Sequence, residues 1–333
     1  MALLAANNPT LLDVTRAMDP DGSIAAVAEI LTETNEILVD IPFLEGNLPT
    51  GHRHTIRTGL PEPTWRQFYG GVQPTKSTRA QVQDNTAMME AYAEIDKALA
   101  DLNGNSAAFR LQEDYAHIEG MSQAAAQAFV YGNIAVEPTQ FNGLTPRFNS
   151  LGADNADNII DAEGTGTDNA SIWLVVWGPQ TAHAIYPKGS QGGLQMKDLG
   201  EVTIEDVDGN KGRMQAYRTH YRWDMGLVVK DWRYVVRICN IDRSDLTWDA
   251  SGSSANLPRL IFEANERLPS QSMGQPVLYM DRQIRTILRQ QVAQATKNST
   301  LTWEQVGGIR TMVIDETPIR RLDKLAVHEA RVV

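Results

Sequence analysis

Apolar positions along the chain follow two spacings, and one stretch follows neither. Helical spacing appears first at Ile24, Val27, Ile30 or Leu31, and Leu38. It predicts a helix from Ser23 to about Leu38, capped by Ser23 after the turn Asp19-Pro20-Asp21-Gly22. Met88, Tyr92, Ile95, Leu99 and Leu102 step by i+4, i+3, i+4 and i+3, an amphipathic pattern that "LNGN" at 102–105 would end. A second helix is expected from about Ser106 to Tyr131, with Phe109, Tyr115, Ile118, Met121, Ala125 and Phe129 near one face and Gly132-Asn133 closing it. At 1.5 Å per residue its length would be ~37 Å, enough to brace a whole subunit.

Strand signals dominate the second half: 171–177, 182–186, 200–204, 212–217, 221–224, 227–229 and 234–241. Helices are expected at 257–268 and, capped by Asp281, at 282–295, with a short strand at 276–280 between them. Strands at 308–315 and 317–322 finish the chain. The fold class is therefore α+β, with a helical spine, a mixed layer and one long arm.

The arm is the stretch that fits neither spacing. From Gly51 to Asp84 only eight of 34 residues are apolar, and Gly70-Gly71, Pro61 and Pro63 interrupt the Thr-rich alternation of "HTIRT" and "STRAQVQD". This predicts a long polar β-hairpin, marginal by itself in water and in need of a surface to lie on. Charge sharpens the picture. Arg53, Arg57, Arg66, Lys76 and Arg79 against Glu62 and Asp84 give the segment +3, so the remainder carries −14 of a chain whose total is −11.

Composition narrows the function classes. An acidic chain lacks the clustered Lys and Arg of a protein that grips nucleic acid, although an acidic wall could still enclose it. No apolar run approaches the ~18 residues of a membrane helix. The N-terminus has no signal-peptide pattern, and the single Cys239 allows neither an internal disulfide nor a cysteine-built zinc site. The expectation is assembly in cytoplasm, with no cofactor and no metal.

Candidate chemistry is thin. His52 and His54 would share a strand face and could share a metal, but no third ligand lies nearby in sequence and Arg53 and Arg57 flank them, so exposed arm residues are expected. "DVDGNKG" at 206–212 begins like a calcium loop, yet Lys211 and Tyr217 stand where Gly and Glu are needed, so a hairpin turn is expected. The segment 152–169, rich in Gly, Asp and Asn, reads as a solvated or mobile loop. Arg282, Arg285 and Arg289 form a basic stripe that local carboxylates can pair. His117 with Glu113, Asp114 and Glu119 lacks the order of a zinc protease, and no nucleophile or phosphate-loop motif is present. Nothing here assembles an enzyme.

Several strings follow one another along the chain: "STRAQVQD" (77–84), "MMEAYAEIDKAL" (88–99), "IEGMSQAAAQAFVYGN" (118–133), "PTQFNGLTPRF" (138–148), "SIWLVVWG" (171–178), "IYPKG" (185–189), "DWRYVVRICNID" (231–242), "VLYMDRQIRTIL" (277–288) and "IDETPIRRLDKL" (314–325). Taken in this order, they resemble a major capsid protein of a tailed double-stranded DNA phage with the Hong Kong 97-type fold. The likeness is greatest to capsid proteins of short-tailed phages.

The resemblance implies an N-terminal arm and helix over 1–50 and an extended loop over 51–84. It also implies a peripheral domain over 85–170, with the spine helix at about 106–131 and further strands from later chain, and a mixed strand region with the axial domain over 171–333. It places Arg53, Arg57, Trp65, Arg66, Phe68, Tyr69, Lys76 and Arg79 at a contact between subunits. Further implications are hexamers and pentamers, a separate scaffolding protein, a portal protein, a possible decoration protein, and a shell in the virion that encloses double-stranded DNA without reading its sequence. Some relatives crosslink a loop lysine to an asparagine; Lys76 is the loop's lysine, but nothing around it supports that chemistry. The rivals are an encapsulin-like compartment shell and a cytoplasmic enzyme with an unrecognised site.

Overall fold

A computed structural model describes residues 35–101, 106–205, 212–250, 254–294, 301–306, 309–326 and 328–333. The chain forms two compact units. Among the described residues the first comprises 88–126 and 193–224, and the second comprises 35–87, 127–192 and 225–333.

The second unit is built on β5 (Asn169–Trp177), which is buried along its whole length. A continuous run such as "SIWLVVW" cannot face water on either side, so both faces must be covered. Antiparallel β9 (Val235–Asp242) lies on one edge of β5 and antiparallel β10 (Gln275–Met280) on the other. β10 pairs in parallel with β13 (Thr317–Arg321), which pairs with β12 (Ile309–Ile314), which pairs with β11 (Leu301–Val306). β4 (Ile159–Asp161) runs parallel beyond β9. β6 (Ala182–Tyr186) meets β5 where Ala182 faces Trp177, and β1 (Phe43–Glu45) lies parallel to it.

One face of this sheet is covered by two helices, here α4 (Leu257–Glu266) and α5 (Arg282–Gln294). Ile261, Ala264, Ile284, Leu288 and Val292 pack on Ile172, Leu174, Val176 and Ile238. Both helices start at side-chain caps, since Asn256 accepts from the Arg259 amide and Asp281 from the Gln283 amide. On the other face, Arg237 is buried beside Trp173 and donates to Glu329 at 2.8 Å, to Ser171 at 3.1 Å and to the Phe148 carbonyl at 2.7 Å. The C-terminal residues are laced into the same region: Glu329 bridges to Asn169, and the Val332 amide donates to Asn240. Cys239 is buried and its thiol is pushed up to about 12 by desolvation, consistent with a small apolar residue.

In the first unit, α3 (Ser106–Tyr131, its last turn in the second unit) lies on a sheet of β7 (Gln195–Glu205), β8 (Arg213–Val229) and the distal half of β3 (Thr78–Asp96). Two short helices also lie among the described residues: α1 (Ile37–Asp40) in the second unit and α2 (Lys97–Ala100) in the first.

Several expectations need correction. The stretch from Met88 is strand as far as Asp96, and only Lys97–Ala100 is helical. Met89, Ala91 and Ala93 alternate inward onto Met121 and Tyr221, while Met88 and Tyr92 are exposed, so tertiary packing selects the period-2 reading. Tyr115 is also exposed; it lies six residues from Phe109, which is not a whole number of helical turns, and Asp114 is buried in its place. Finally, 152–169 is not merely solvated loop. It holds a 3₁₀ turn at Ala156–Asn158 and buried β4, because Ile159 and Ile160 supply apolar positions and Asn158 donates to the Arg233 and Val235 carbonyls.

The expected helix at 23–38 lies outside the described residues except for its end, where α1 begins. The turn at 206–211 also lies outside them, although β7 and β8 pair on either side with Glu205 opposite Arg213. The segments 212–217, 221–224 and 227–229 form one strand, β8, rather than three.

Candidate functional site

The site is the arm. Its legs are β2 (Gly51–Gly59) and the proximal half of β3, paired antiparallel with His52 opposite Asp84, His54 opposite Val82, Ile56 opposite Ala80 and Arg57 opposite Arg79. A register shift follows Arg57, and regular pairing ends where Gly59 meets Thr78. Residues 60–77 form a tip without strand structure, because its prolines and glycines cannot sustain a ladder. Tyr69 takes a left-handed backbone (φ 64°), and the Gly70 amide donates to the Gln67 carbonyl at 3.1 Å to close the tip turn.

The eight residues expected at a contact separate into groups. Arg53, Arg57 and Arg79 are exposed on one face of the legs. Arg57 and Arg79 stand directly across the strands, an arrangement that like charges disfavour without an anion to share. Trp65, Phe68 and Tyr69 stand free at the tip, at 104%, 91% and 107% exposure, with Arg66 among them. Lys76 is exposed on the returning side. Three bare aromatics beside cations resemble the anchor residues of an interface.

The other face of the legs turns inward at the root, so His52 and His54 are not the exposed arm residues that the sequence suggests. Arg147 clamps it, donating to Asp84 Oδ1 at 2.8 Å and to the Gly143 and Leu227 carbonyls at 3.2 and 3.1 Å. Asn47 brackets Arg53, accepting from its amide at 2.7 Å and donating to its carbonyl at 2.6 Å. Gly51 is needed where the strands approach most closely, since a Cβ there would lie 2.0 Å from the Asp84 carbonyl oxygen. These anchors were not legible in the sequence: Arg147 and Asp84 are 63 residues apart and neither carries a local motif.

The other sequence candidates find ordinary partners. Arg282 pairs with Asp323 at 3.1 Å, and the His117 ring stacks on Tyr221. Among the described residues no group of three or more His, Cys, Asp or Glu could hold a metal ion. No helix among them is long and apolar enough to cross a membrane.

Residues 19–333 match the family model described as major capsid protein GP7. No curated protein matches the chain. Among solved structures, a chain of the near-atomic cryo-EM structure of bacteriophage epsilon15 is 36% identical, covers 100% of this chain and 99% of its own, and superposes with a TM-score of 0.79. The bacteriophage JBD30 capsid matches at 9% identity, 90% and 95% coverage and a TM-score of 0.49. The capsid of a native GTA particle matches at 10% identity, 67% and 95% coverage and a TM-score of 0.45.

Proposed function

Because the chain belongs to the major capsid protein GP7 family, with a Hong Kong 97-type α+β fold, and is a structural protein of an icosahedral phage shell, we propose that residues 51–84 are the extended loop by which one subunit holds the next. The observation that carries this is the pairing of a rigidly clamped root with a bare tip. Arg147, Asn47 and Gly51 fix the direction of the legs, while Trp65, Phe68 and Tyr69 spend no burial on their own chain. Burying one such ring removes ~150–250 Å² from water, worth about 4–6 kcal/mol at ~25 cal/mol/Å² before ordering costs. The basic face adds charge complementarity to an otherwise acidic subunit, which sets approach and register. Modest contacts suffice, since a closed shell makes them multivalently.

In this reading 85–170 contributes the peripheral domain around α3, and the β5 sheet with α4 and α5 belongs to the axial domain. The capsomers are hexamers and pentamers, built in the host cytoplasm with a separate scaffolding protein and a portal protein, with room for a decoration protein, around double-stranded DNA. The protein works as a building block and carries out no catalysis. Changing Arg53, Arg57 and Arg66 to Glu should hinder shell assembly, followed by light scattering and sedimentation, while the melting of the unassembled chain stays nearly unchanged. A large loss of melting temperature would instead assign those residues to the subunit's own fold.

A further inference from the structure

The arm's root holds a group of histidines that neither the subunit's core nor the arm's outer face explains. His52 and His54 lie on the inner face of β2 with ring centroids 6.0 Å apart, and His183 on β6 makes a T-shaped contact with His52, also at 6.0 Å. His183 is 1% exposed, and the His54 and Asp84 side chains are each 7% exposed. Buried nitrogens of all three rings lack hydrogen-bond partners: Nδ1 of His52, both nitrogens of His54 and Nδ1 of His183.

Charge around the group is unbalanced. Among the described residues Asp84 is the one carboxylate facing it, with Oδ2 3.8 Å from His54 Nδ1, and its other oxygen is already taken by Arg147. Lys230, from the segment after β8, adds a positive charge that acts on all three rings, and it donates to the Pro179 carbonyl at 2.7 Å. Three imidazolium charges, Arg147 and Lys230 would thus share a single buried anion. The donors do not converge on a metal position, so the proton is the ligand to consider.

We propose that the arm root is an acid-sensitive latch: uncharged His52, His54 and His183 let β2 rest beside β6, and protonation of these rings releases the root from that strand. This rests on the reading of 51–84 as a projecting arm, because release matters only if the arm reaches a neighbour. The titration agrees with the geometry. Desolvation is the first cause that lowers all three rings, with Lys230 adding to it, and His183 is held at about 4 against an ordinary 6.5. A base whose folded value lies below its unfolded value stabilises the closed root above the unfolded value, and that stability is lost as the pH falls from about 6.5 towards 4. For His183 alone, an opening that exposes the ring becomes on the order of 30-fold more favourable at about pH 5 than at about pH 7.5.

The test is hydrogen exchange on the full, unassembled chain at about pH 7.5 and about pH 5, corrected for intrinsic rates. Amides of Gly51–Gly59 and of 78–86 should open at least ~10-fold more readily in acid while β5 stays protected. A variant combining His54→Gln and His183→Gln should lose most of that response. Equal protection at both pH values, loss of β5 protection in step with the root, or a wild-type acid response in the variant would each overturn the latch. Should the variant fail to fold, NMR titration of His183 in the wild-type chain decides. A midpoint below ~5.5 supports the latch, and one at or above ~5.5 overturns it. All these readouts concern one subunit, so they can fail while the arm still straps neighbours, and the reverse.

Discussion

Glu329→Ala would strand Arg237 as a buried cation. The guanidinium is 2% exposed, the carboxylate 6%, and Nη2 meets Oε2 at 2.8 Å. The same carboxylate accepts from the hydroxyls of Ser171 and Tyr131, so both lose their acceptor as well. Deleting one partner of a buried pair costs about 3–5 kcal/mol, and each orphaned hydroxyl adds about 1 kcal/mol. Arg237 keeps its bonds to Ser171 and the Phe148 carbonyl, which places the net loss at about 4–6 kcal/mol. That is a large part of the ~5–15 kcal/mol that holds a typical domain.

Urea unfolding of the unassembled chain, followed by tryptophan fluorescence, measures it. Trp173 lies 5.1 Å from the Arg237 guanidinium and reports on the site. With a slope of ~3 kcal/mol/M the midpoint should fall by about 1.3–2 M. Arg237→Met combined with Glu329→Leu should recover most of the loss, because replacing a buried pair by apolar groups is often near neutral. A single-variant loss below ~1 kcal/mol, or a double variant as weak as the single, would refute the reasoning that the uncompensated charge sets the cost.

Two further substitutions test the account elsewhere. Ala93→Lys should destabilise the subunit by more than ~3 kcal/mol and Met88→Lys by less than ~0.5, because Ala93 packs on Met121 while Met88 is exposed; equal effects in chemical denaturation would contradict the inward alternation of β3. Replacing Trp65, Phe68 and Tyr69 together by Ala should change subunit stability by less than ~0.5 kcal/mol yet raise the concentration needed for assembly at least ~10-fold; unchanged assembly would remove the tip from the contact.

Much of the fold was legible where one local signal dominates. The bounds of α3 and β6 and the double-sided burial of β5 follow from helical spacing closed by Gly132-Asn133 and from the apolar runs 171–177 and 182–186. The stretch 88–96 misled because two periods coexist there. Met88, Tyr92 and Ile95 fit a helix, while Met89, Ala91, Ala93 and Ile95 fit a strand, and small alanines carry little hydrophobic signal until packing selects them. β11 at "LTWEQV" was missed because its pairing with β12, more than its own short and mixed run, makes it a strand. The arm's polarity and charge announced its exposure. Its anchors did not, since His183, Arg147 and Asp84 come from segments far apart in sequence and only the folded chain brings them together.

The central claim is that 51–84 joins neighbouring subunits. The Thr86 amide already donates to the Thr50 carbonyl at 3.0 Å, so the legs can be closed just above the root. Replacing 53–83 by Asn-Gly, a two-residue hairpin turn that keeps His52 opposite Asp84, and imaging the assembled product by electron microscopy tests it most directly. The account predicts a folded subunit that gives no closed shells under conditions where the wild-type chain does; normal icosahedral particles from the shortened chain would contradict it.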